Sequence, residues 1–459
     1  MPANWPSEWC NRAMATTDKI FRDPLFNYVA IKRPEDQWLI DLLDCPEVQR
    51  LRRIHQLGVS HFTYPGADHS RFSHTLGVLN MMQQALHRVD TLPTTGPAFS
   101  NAQSTLLAAA ILHDVGHGPF SHLVEQPLGF KHEEWSVQIV TSEDTAVHQV
   151  LSDPQNDVDP QKVAALISKD SRNCAPWQKA LLSSELDVDR LDYLRRDSYF
   201  TGSGYGHYDW YRILNTFEFY ENEDGMDVLA WPQGAIYAIE EYIFARFYMY
   251  TNVYQHKTTR GFEKLLHAAW HRAKQLHGDG EDAGLVSEAA QFLDTQTPTI
   301  AQYLALEDAT MVYQLRKWTC HPDRALSDLA RRFLNRDGFA AIDDPVQEAD
   351  FGEPRTAWES ALQKLVESCG YSPPECYALR DDLKLTVYDP YMPEKEREEQ
   401  DPYNAIMVRP KPDGTPQEIS SLLEKRLGLV TGVREKQYRY YVPKEVRHKA
   451  HELAQSQKW

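Results

Sequence analysis

Apolar positions recur at helical spacing through most of the chain. After His74, the residues Leu76, Leu79, Met82 and Leu86 fall on one face of a helix, which such a stripe buries. The segment STLLAAAILHDVGH, opened by Ser104, is apolar nearly all round, as expected of a helix in the centre of a bundle, and Gly116, Gly118 and Pro119 mark its end. The same pattern predicts helices over 160–167, 175–197, 232–275, 285–293 and 299–306, with few period-2 runs before Phe333. TGSGYGHYDW, 201–210, reads as a loop packed on the body. Beyond about Arg336 the texture changes: LKLTVYDPY, AIMVRPK and YRYYVP read as strands, SSLLEKRL as a short helix, PEKEREEQDP as a charged loop, and a terminal helix starts at Lys444. The expected fold is mainly α, a helical bundle over 1–335 followed by a smaller α+β lobe over 336–459 that serves regulation or oligomerisation.

Charge narrows the partners. With 48 Lys+Arg against 66 Asp+Glu, the 459-residue chain carries a formal net charge of −18, which excludes a polyanion-binding surface over the whole molecule. A content of 42% hydrophobic and 25% charged residues is that of a globular protein. The longest aliphatic stretch, Leu106 to Leu112, falls far short of the roughly 20 residues that cross a bilayer. The N-terminus lacks a basic segment followed by an apolar one, so a cytoplasmic protein without a membrane partner is expected. The six cysteines (Cys10, Cys45, Cys174, Cys320, Cys369 and Cys376) form no CxxC and read as reduced thiols.

Histidine changes the picture, because nine of the 18 fall between His55 and His132. His113-Asp114 ends the buried helix, where an unpaired carboxylate is costly and a metal would satisfy it. His74, at the start of the preceding helix, and Asp189, in SSELDVDRLDYLRRD, complete a mixed nitrogen and oxygen set for Mg²⁺, Mn²⁺, Fe²⁺ or Zn²⁺, with Asp187 a near competitor to Asp189. Taken singly, each is better explained as a satisfied core histidine or a capping carboxylate. The clustering outweighs that explanation: His117 follows His113 by one turn, His122 lies beyond the Gly/Pro break with Glu125 three residues on, and His132 follows.

HSRFSHTLGV, HDVGHGPFSH and LDVDRLDYLRRD, together with QRLRRIHQLG before YPGADHSRFSH, resemble the signature segments of HD-domain phosphohydrolases, and within them the deoxynucleotide triphosphohydrolases. The resemblance runs from about Lys19 to Phe333. It implies an HD-domain helical bundle in which His74, His113, Asp114 and Asp189 bind a divalent metal, Asp189 rather than Asp187 standing at the ligand position. It further implies that His117, His122 and His132 are active-site histidines, with Glu125 orienting His122. The implied reaction on a dNTP releases a deoxynucleoside and tripolyphosphate, His122 protonating the departing 5′-oxygen.

The resemblance also implies substrate contacts. Arg71, Arg190 and Arg246 match phosphate-contacting positions, where the planar guanidinium suits phosphate oxygens. Tyr193 would pack against the phosphates, Gln56 (beside Leu57) and Asp197 would read the sugar 3′-hydroxyl, and Tyr254-Gln255 belong to the segment that excludes a 2′-hydroxyl. Tyr250 departs from the family's animal members, which have His there. Lys19, Asp44, Gln49 and Arg52 match positions that bind an activating guanine nucleotide, GTP or dGTP. Read without the resemblance, DCPEVQRLR caps and starts a helix at Asp44 and Pro46. The run from Lys425 to Lys449, with eight Lys/Arg against two Asp/Glu, suits a solvated face or the contact of a homo-oligomer, dimer or tetramer, better than nucleic acid. Two readings compete with the dNTPase: an HD enzyme acting on another nucleotide or a nucleic-acid end, and a nucleotide-responsive regulator without turnover.

Overall fold

A computed structural model describes residues 18–92, 102–168, 174–222, 225–294, 298–346, 353–384, 405–411, 414–423 and 436–456. The chain opens with a hairpin of β1 (Lys19–Asp23) and β2 (Asn27–Ile31), and Asn27 takes the left-handed conformation, φ 64°, that closes the tight turn. Six helices then position the chemistry: α1 (Arg71–Thr91), α2 (Gln103–Leu112), α3 (His132–Thr141), α4 (Val188–Thr201), α5 (Ile236–Met249) and α6 (Lys257–Gly278). Helix α1 packs against both α2 and α4, and α2 is buried on almost every side, as its composition required. Gly77 makes the α1–α4 contact close. A Cβ there would fall on the Asp192 carboxylate and the Arg196 guanidinium. Gly77→Ala is therefore expected to cost about 1–3 kcal/mol, read as a lower midpoint in urea unfolding.

One expected helix is found at its expected bounds, and others differ, each for a local reason. The helix expected at 160–167 spans Pro160–Ile167, begun by Asp159 as cap and Pro160 as first residue. The one expected over 175–197 is two, Pro176–Leu182 and α4, because Asp187 caps α4 by accepting the Arg190 N–H at 2.7 Å and also accepts the Ser184 N–H at 2.8 Å. The expected 232–275 helix starts late and is interrupted once. Pro232 ends a strand, and a π-helical turn, Tyr250–Tyr254, separates α5 from α6. That strand, β4 (Asp227–Pro232), pairs with β3 (Glu218–Glu221) in a hairpin the helical reading does not contain.

In the C-terminal part β5 (Ala340–Asp343), β6 (Leu379–Lys384) and β9 (Lys436–Val442) form an antiparallel sheet with β9 in the centre. Two further strands, β7 (Met407–Arg409) and β8 (Gln417–Glu418), join the other sheet, β7 running parallel to β4 with Trp231 opposite Val408. The charged loop PEKEREEQDP, residues 385–391 of the expected LKLTVYDPY strand and residues 425–435 of the basic run lie outside the described residues. The terminal helix begins with a 3-10 turn, Lys444–Val446, and continues as Arg447–Gln455.

Packing does not follow a division at residue 335. One apolar core gathers α1, α2, α4 and α5 with Ile406, Val408 and Ile419 from the C-terminal part. A second joins α6 and the helices Asp308–Trp318 and Arg324–Leu334 to β5, β9 and Trp358. Gly261 on α6 lets the Tyr441 ring approach, and the Tyr441 hydroxyl donates to the Lys257 carbonyl at 3.0 Å. Among the described residues no helix is long and apolar enough to cross a membrane.

Candidate active site

Ser70 caps α1, accepting the Ser73 N–H, so that Arg71 and His74 lie in the first turn beside α4. His74 is fully buried, with Nδ1 2.8 Å from Asp192 Oδ2 and Nε2 2.9 Å from Asp189 Oδ1. His113 follows the last residue of α2. Its Nδ1 donates to the Ala110 carbonyl at 2.9 Å, which leaves Nε2 as a buried lone pair with no hydrogen-bond partner. That Nε2 lies 3.5 Å from Asp114 Oδ1 and 3.7 Å from Asp189 Oδ1. Of the four residues expected to hold a metal, His74, His113 and Asp189 converge as one group, and Asp114 lies within 3.8 Å of both imidazoles, whereas Asp187 is turned away into the cap of α4.

A divalent cation fits this donor set. A buried carboxylate (Asp114), a half-buried one (Asp189), an orphaned imidazole nitrogen and a second imidazole oriented by a carboxylate behind it form the usual environment of a protein-bound metal. Burial opposes charge on His74, but hydrogen bonds to Asp189 and Asp192 outweigh it and raise its pKa to about 10. Burial likewise opposes ionisation of Asp114, yet Arg71, His113 and His117 hold its pKa well below the usual carboxylate range. The Asp189 carboxyl is also held low, by His74 and His113 against burial. Behind His74, Asp192 accepts Arg196 Nε at 2.8 Å, and Arg196 Nη1 reaches Asp23 of β1 at 2.8 Å, so the hairpin anchors the orienting carboxylate.

The second cluster depends on a strained turn. Phe120 and Ser121 both take left-handed backbone conformations, φ 53° and 60°, which fold the chain sharply after Gly118-Pro119. His117 stacks on His132 at 3.7 Å between centroids, and His122 stands edge-on to both at 4.7 and 4.9 Å. Glu125 Oε1 lies 2.7 Å from His122 Nδ1 and 2.9 Å from His132 Nδ1, so one carboxylate fixes two rings. Burial, with Arg71 and His132 nearby, pushes the His117 pKa well down and keeps that ring neutral. The His122 side chain, 64% exposed, is the member open to a substrate. Arg50 holds the turn from behind, donating to the carbonyls of His117 at 2.6 Å, Leu304 at 3.0 Å and Leu306 at 2.5 Å.

Although burial opposes charge on Glu125, the two imidazoles bring its pKa down to about 2 from 4.5. Its contribution to stability is therefore complete above about pH 4.5 and is lost as pH falls through about 2. Wild type and Glu125→Gln should accordingly differ in thermal midpoint at pH 6, approach each other as pH falls below 4.5 and converge only below about pH 2, as differential scanning across pH would show.

The expected substrate contacts form two groups. Asp197 Oδ1 lies 2.8 Å from His69 Nε2, and its Oδ2 accepts the Tyr254 hydroxyl at 2.8 Å. Gln56 donates its backbone N–H to the His69 carbonyl at 3.0 Å, and its Oε1 is buried without a partner. Tyr193 stands between the groups, its ring centroid 6.4 Å from that of His74 and 6.3 Å from that of Tyr254. The three arginines are engaged by acids of the chain: Arg71 by Asp114, Arg190 by Asp187 and, at 3.8 Å, Glu185, and Arg246 by Glu185. The Leu57 carbonyl accepts the Ser60 N–H and the Gln255 carbonyl accepts Arg439 Nη1, bonds that tie neither residue to these two groups.

Of the expected regulatory residues, Gln49 and Arg52 are joined at 2.8 Å, with the Arg52 guanidinium 3.6 Å above the Phe72 ring. Lys19 lies on β1 over Phe21 and Asp44 is exposed, neither in recorded contact with that pair. The capping alternative for Asp44 does not hold. Asp44 closes the helix Gln37–Leu43, and the cap position of the next helix is Cys45, which makes no side-chain cap bond.

Residues 71–197 match the HD domain and 208–287 the HD associated region. An uncharacterized protein of Bacillus subtilis, YwfO, is 35% identical over 433 residues, 94% of this chain and 93% of that protein. The chain belongs to the HD-domain phosphohydrolase family. A crystal structure of a phosphohydrolase from Bacteroides thetaiotaomicron matches this HD hydrolase with a TM-score of 0.74 at 28% identity, covering 93% of this chain and 99% of that one. The deoxynucleoside triphosphate triphosphohydrolase SAMHD1 homolog of Dictyostelium discoideum is 28% identical over 276 residues, 57% of this chain and half of that protein. Sequence reasoning about this HD hydrolase missed Arg50, His69, Glu185, Asp192 and the Asp23–Arg196 pair. For Asp192 and Arg196 the signal was present, since LDYLRRD places a carboxylate and a guanidinium four residues apart on the face that carries Asp189.

Proposed function

We propose that this phosphohydrolase is a metal-dependent dNTP triphosphohydrolase that releases a deoxynucleoside and tripolyphosphate. The observation that carries this reading is the hydroxyl-binding group of Asp197, Tyr254 and the unpartnered Gln56 Oε1, one aromatic ring away from His74. A buried acceptor without a donor is costly in the free protein, and a sugar 3′-hydroxyl would satisfy it. Tyr254, fixed on Asp197, would leave no room for a 2′-hydroxyl.

His74, His113, Asp114 and Asp189 would hold the cation, which supplies Lewis acidity at a phosphate and a water of lowered pKa. His122, oriented by Glu125, would donate the proton that the departing 5′-oxygen takes up. Arg71, Arg190 and Arg246 would bind the phosphates in exchange for their present carboxylate partners. A second reading, hydrolysis of a smaller phosphoester, draws on Glu185, because it occupies Arg246 and neighbours Arg190.

Purified protein incubated with each dNTP and NTP, with Mg²⁺, Mn²⁺, Fe²⁺ or Zn²⁺, tests the reading by product separation. Tripolyphosphate from dNTPs alone supports it. Orthophosphate or pyrophosphate overturns the cleavage position, and absence of turnover on every triphosphate overturns the substrate. Activation by GTP at Lys19, Asp44, Gln49 and Arg52 within a homo-oligomer is part of the proposal. It predicts a sigmoidal rate abolished by Asp44→Ala, and hyperbolic kinetics indifferent to GTP would remove it.

A further inference from the structure

Away from the active-site clusters, one more set of imidazoles and a carboxylate converges. His55 Nδ1 lies 2.5 Å from Asp308 Oδ2, which also accepts the His55 N–H at 2.9 Å. This buried carboxylate fixes the ring so that the opposite nitrogen, Nε2, faces Asp68 Oδ1 at 3.8 Å. The His61 ring lies 5.5 Å from that of His55, and one donor atom from each of His55, His61 and Asp68 falls within 4.8 Å of the others. His61 Nδ1 is buried and has no hydrogen-bond partner.

We propose that His55, His61 and Asp68 form a second divalent transition-metal site, separate from the His74 cluster. Two imidazoles and one carboxylate without thiolate suit Zn²⁺ or Co²⁺, with water as a fourth ligand. An imidazole whose far nitrogen is held by a carboxylate is the recurring arrangement of a metal-bound histidine, and Asp308 supplies that carboxylate. Four-coordinate ligands at bond lengths of about 2.0–2.1 Å stand about 3.3 Å apart. The His55–Asp68 separation exceeds this by little, and the Asp68 side chain, 67% exposed, is free to rotate inward. A simple ion pair explains less: Asp308 already satisfies His55, which leaves the orphaned His61 nitrogen unaccounted for.

The site adjoins a cavity of about 780 Å³ lined in part by Phe62, Phe120 and Phe333, which would admit the fourth ligand. It is also wired to the catalytic turn. Asp308 Oδ1 accepts the Phe120 N–H at 2.6 Å, and the Ser121 hydroxyl donates to the His55 carbonyl at 2.6 Å while accepting from Arg71 Nε at 2.8 Å. An ion here would brace the strained residues that precede His122, whatever the substrate.

Untagged protein stripped of metal, reloaded with Zn²⁺ and desalted tests this by elemental analysis, with Co²⁺ absorption as a second readout. Wild type should retain one Zn²⁺ per chain more than His61→Ala, and His113→Ala should keep that ion and its Co²⁺ spectrum. Asp68→Asn, at an exposed position that leaves folding intact, should weaken the site at least tenfold. Equal metal content in wild type, His61→Ala and Asp68→Asn overturns the proposal, as does complete loss of metal in His113→Ala.

Discussion

Asp189→Ala should reduce phosphohydrolase turnover at least a thousandfold, equivalent to about 4 kcal/mol of transition-state stabilisation. Asp189 faces both His74 and His113 through a single oxygen, Oδ1, whereas Asp114 approaches them with different oxygens, so loss of Asp189 removes the donor atom the two imidazoles share. The neighbouring Asp187 provides the contrast. It caps α4 and holds Arg190 at 2.5 Å, so Asp187→Ala should cost about 1–2 kcal/mol of stability while metal is retained. Metal content and urea unfolding measured on both variants separate the roles. Retention of full turnover by Asp189→Ala would show that the cation is held elsewhere.

Arg50→Met carries the largest expected effect on stability. The guanidinium is buried, satisfies three carbonyls, those of His117, Leu304 and Leu306, and has its carbon 5.4 Å from the centroid of the Tyr303 ring. Methionine keeps much of the volume but leaves all three acceptors buried without donors. At about 1–3 kcal/mol for each unsatisfied group, partly relieved by relaxation, the loss should be about 3–5 kcal/mol. Turnover of the folded fraction should fall as well, because the His117 carbonyl is the end of the catalytic turn that Arg50 holds. An unfolding free energy within about 1 kcal/mol of wild type, from urea titration, would show that water replaces the arginine.

Much of the site was legible because its residues are close in sequence or lie at the ends of strongly patterned helices. His113-Asp114 closes an unmistakable buried helix, and Asp189 sits two residues into α4. The clustering of His117, His122 and His132 around Glu125 likewise follows from a turn that Gly118 and Pro119 announce. What escaped the reading depends on distant partners. Arg50 binds carbonyls more than 250 residues away, and nothing in QRLRR distinguishes it from the exposed Arg52 and Arg53. Asp23 looks like a turn residue until Arg196 is brought to it. Helix boundaries failed where a cap or proline competed with an apolar pattern: Asp187 divided one expected helix, and the strand that Pro232 ends displaced the start of another. The hairpin of β3 and β4 is too short for period-2 alternation to outweigh the helical signals on either side.

The parallel pairing of β7 with β4 bears on how the molecule assembles during synthesis. Trp231 leaves the ribosome long before Val408, its opposite residue, so one edge of β4 stays unpaired while α5, α6 and the helices Asp308–Trp318 and Arg324–Leu334 of the second core are being made. Pairings of such long sequence separation form late and leave strand edges open to wrong partners. The HD helices can gather early from local contacts, but their core is sealed only when the last quarter of the chain arrives.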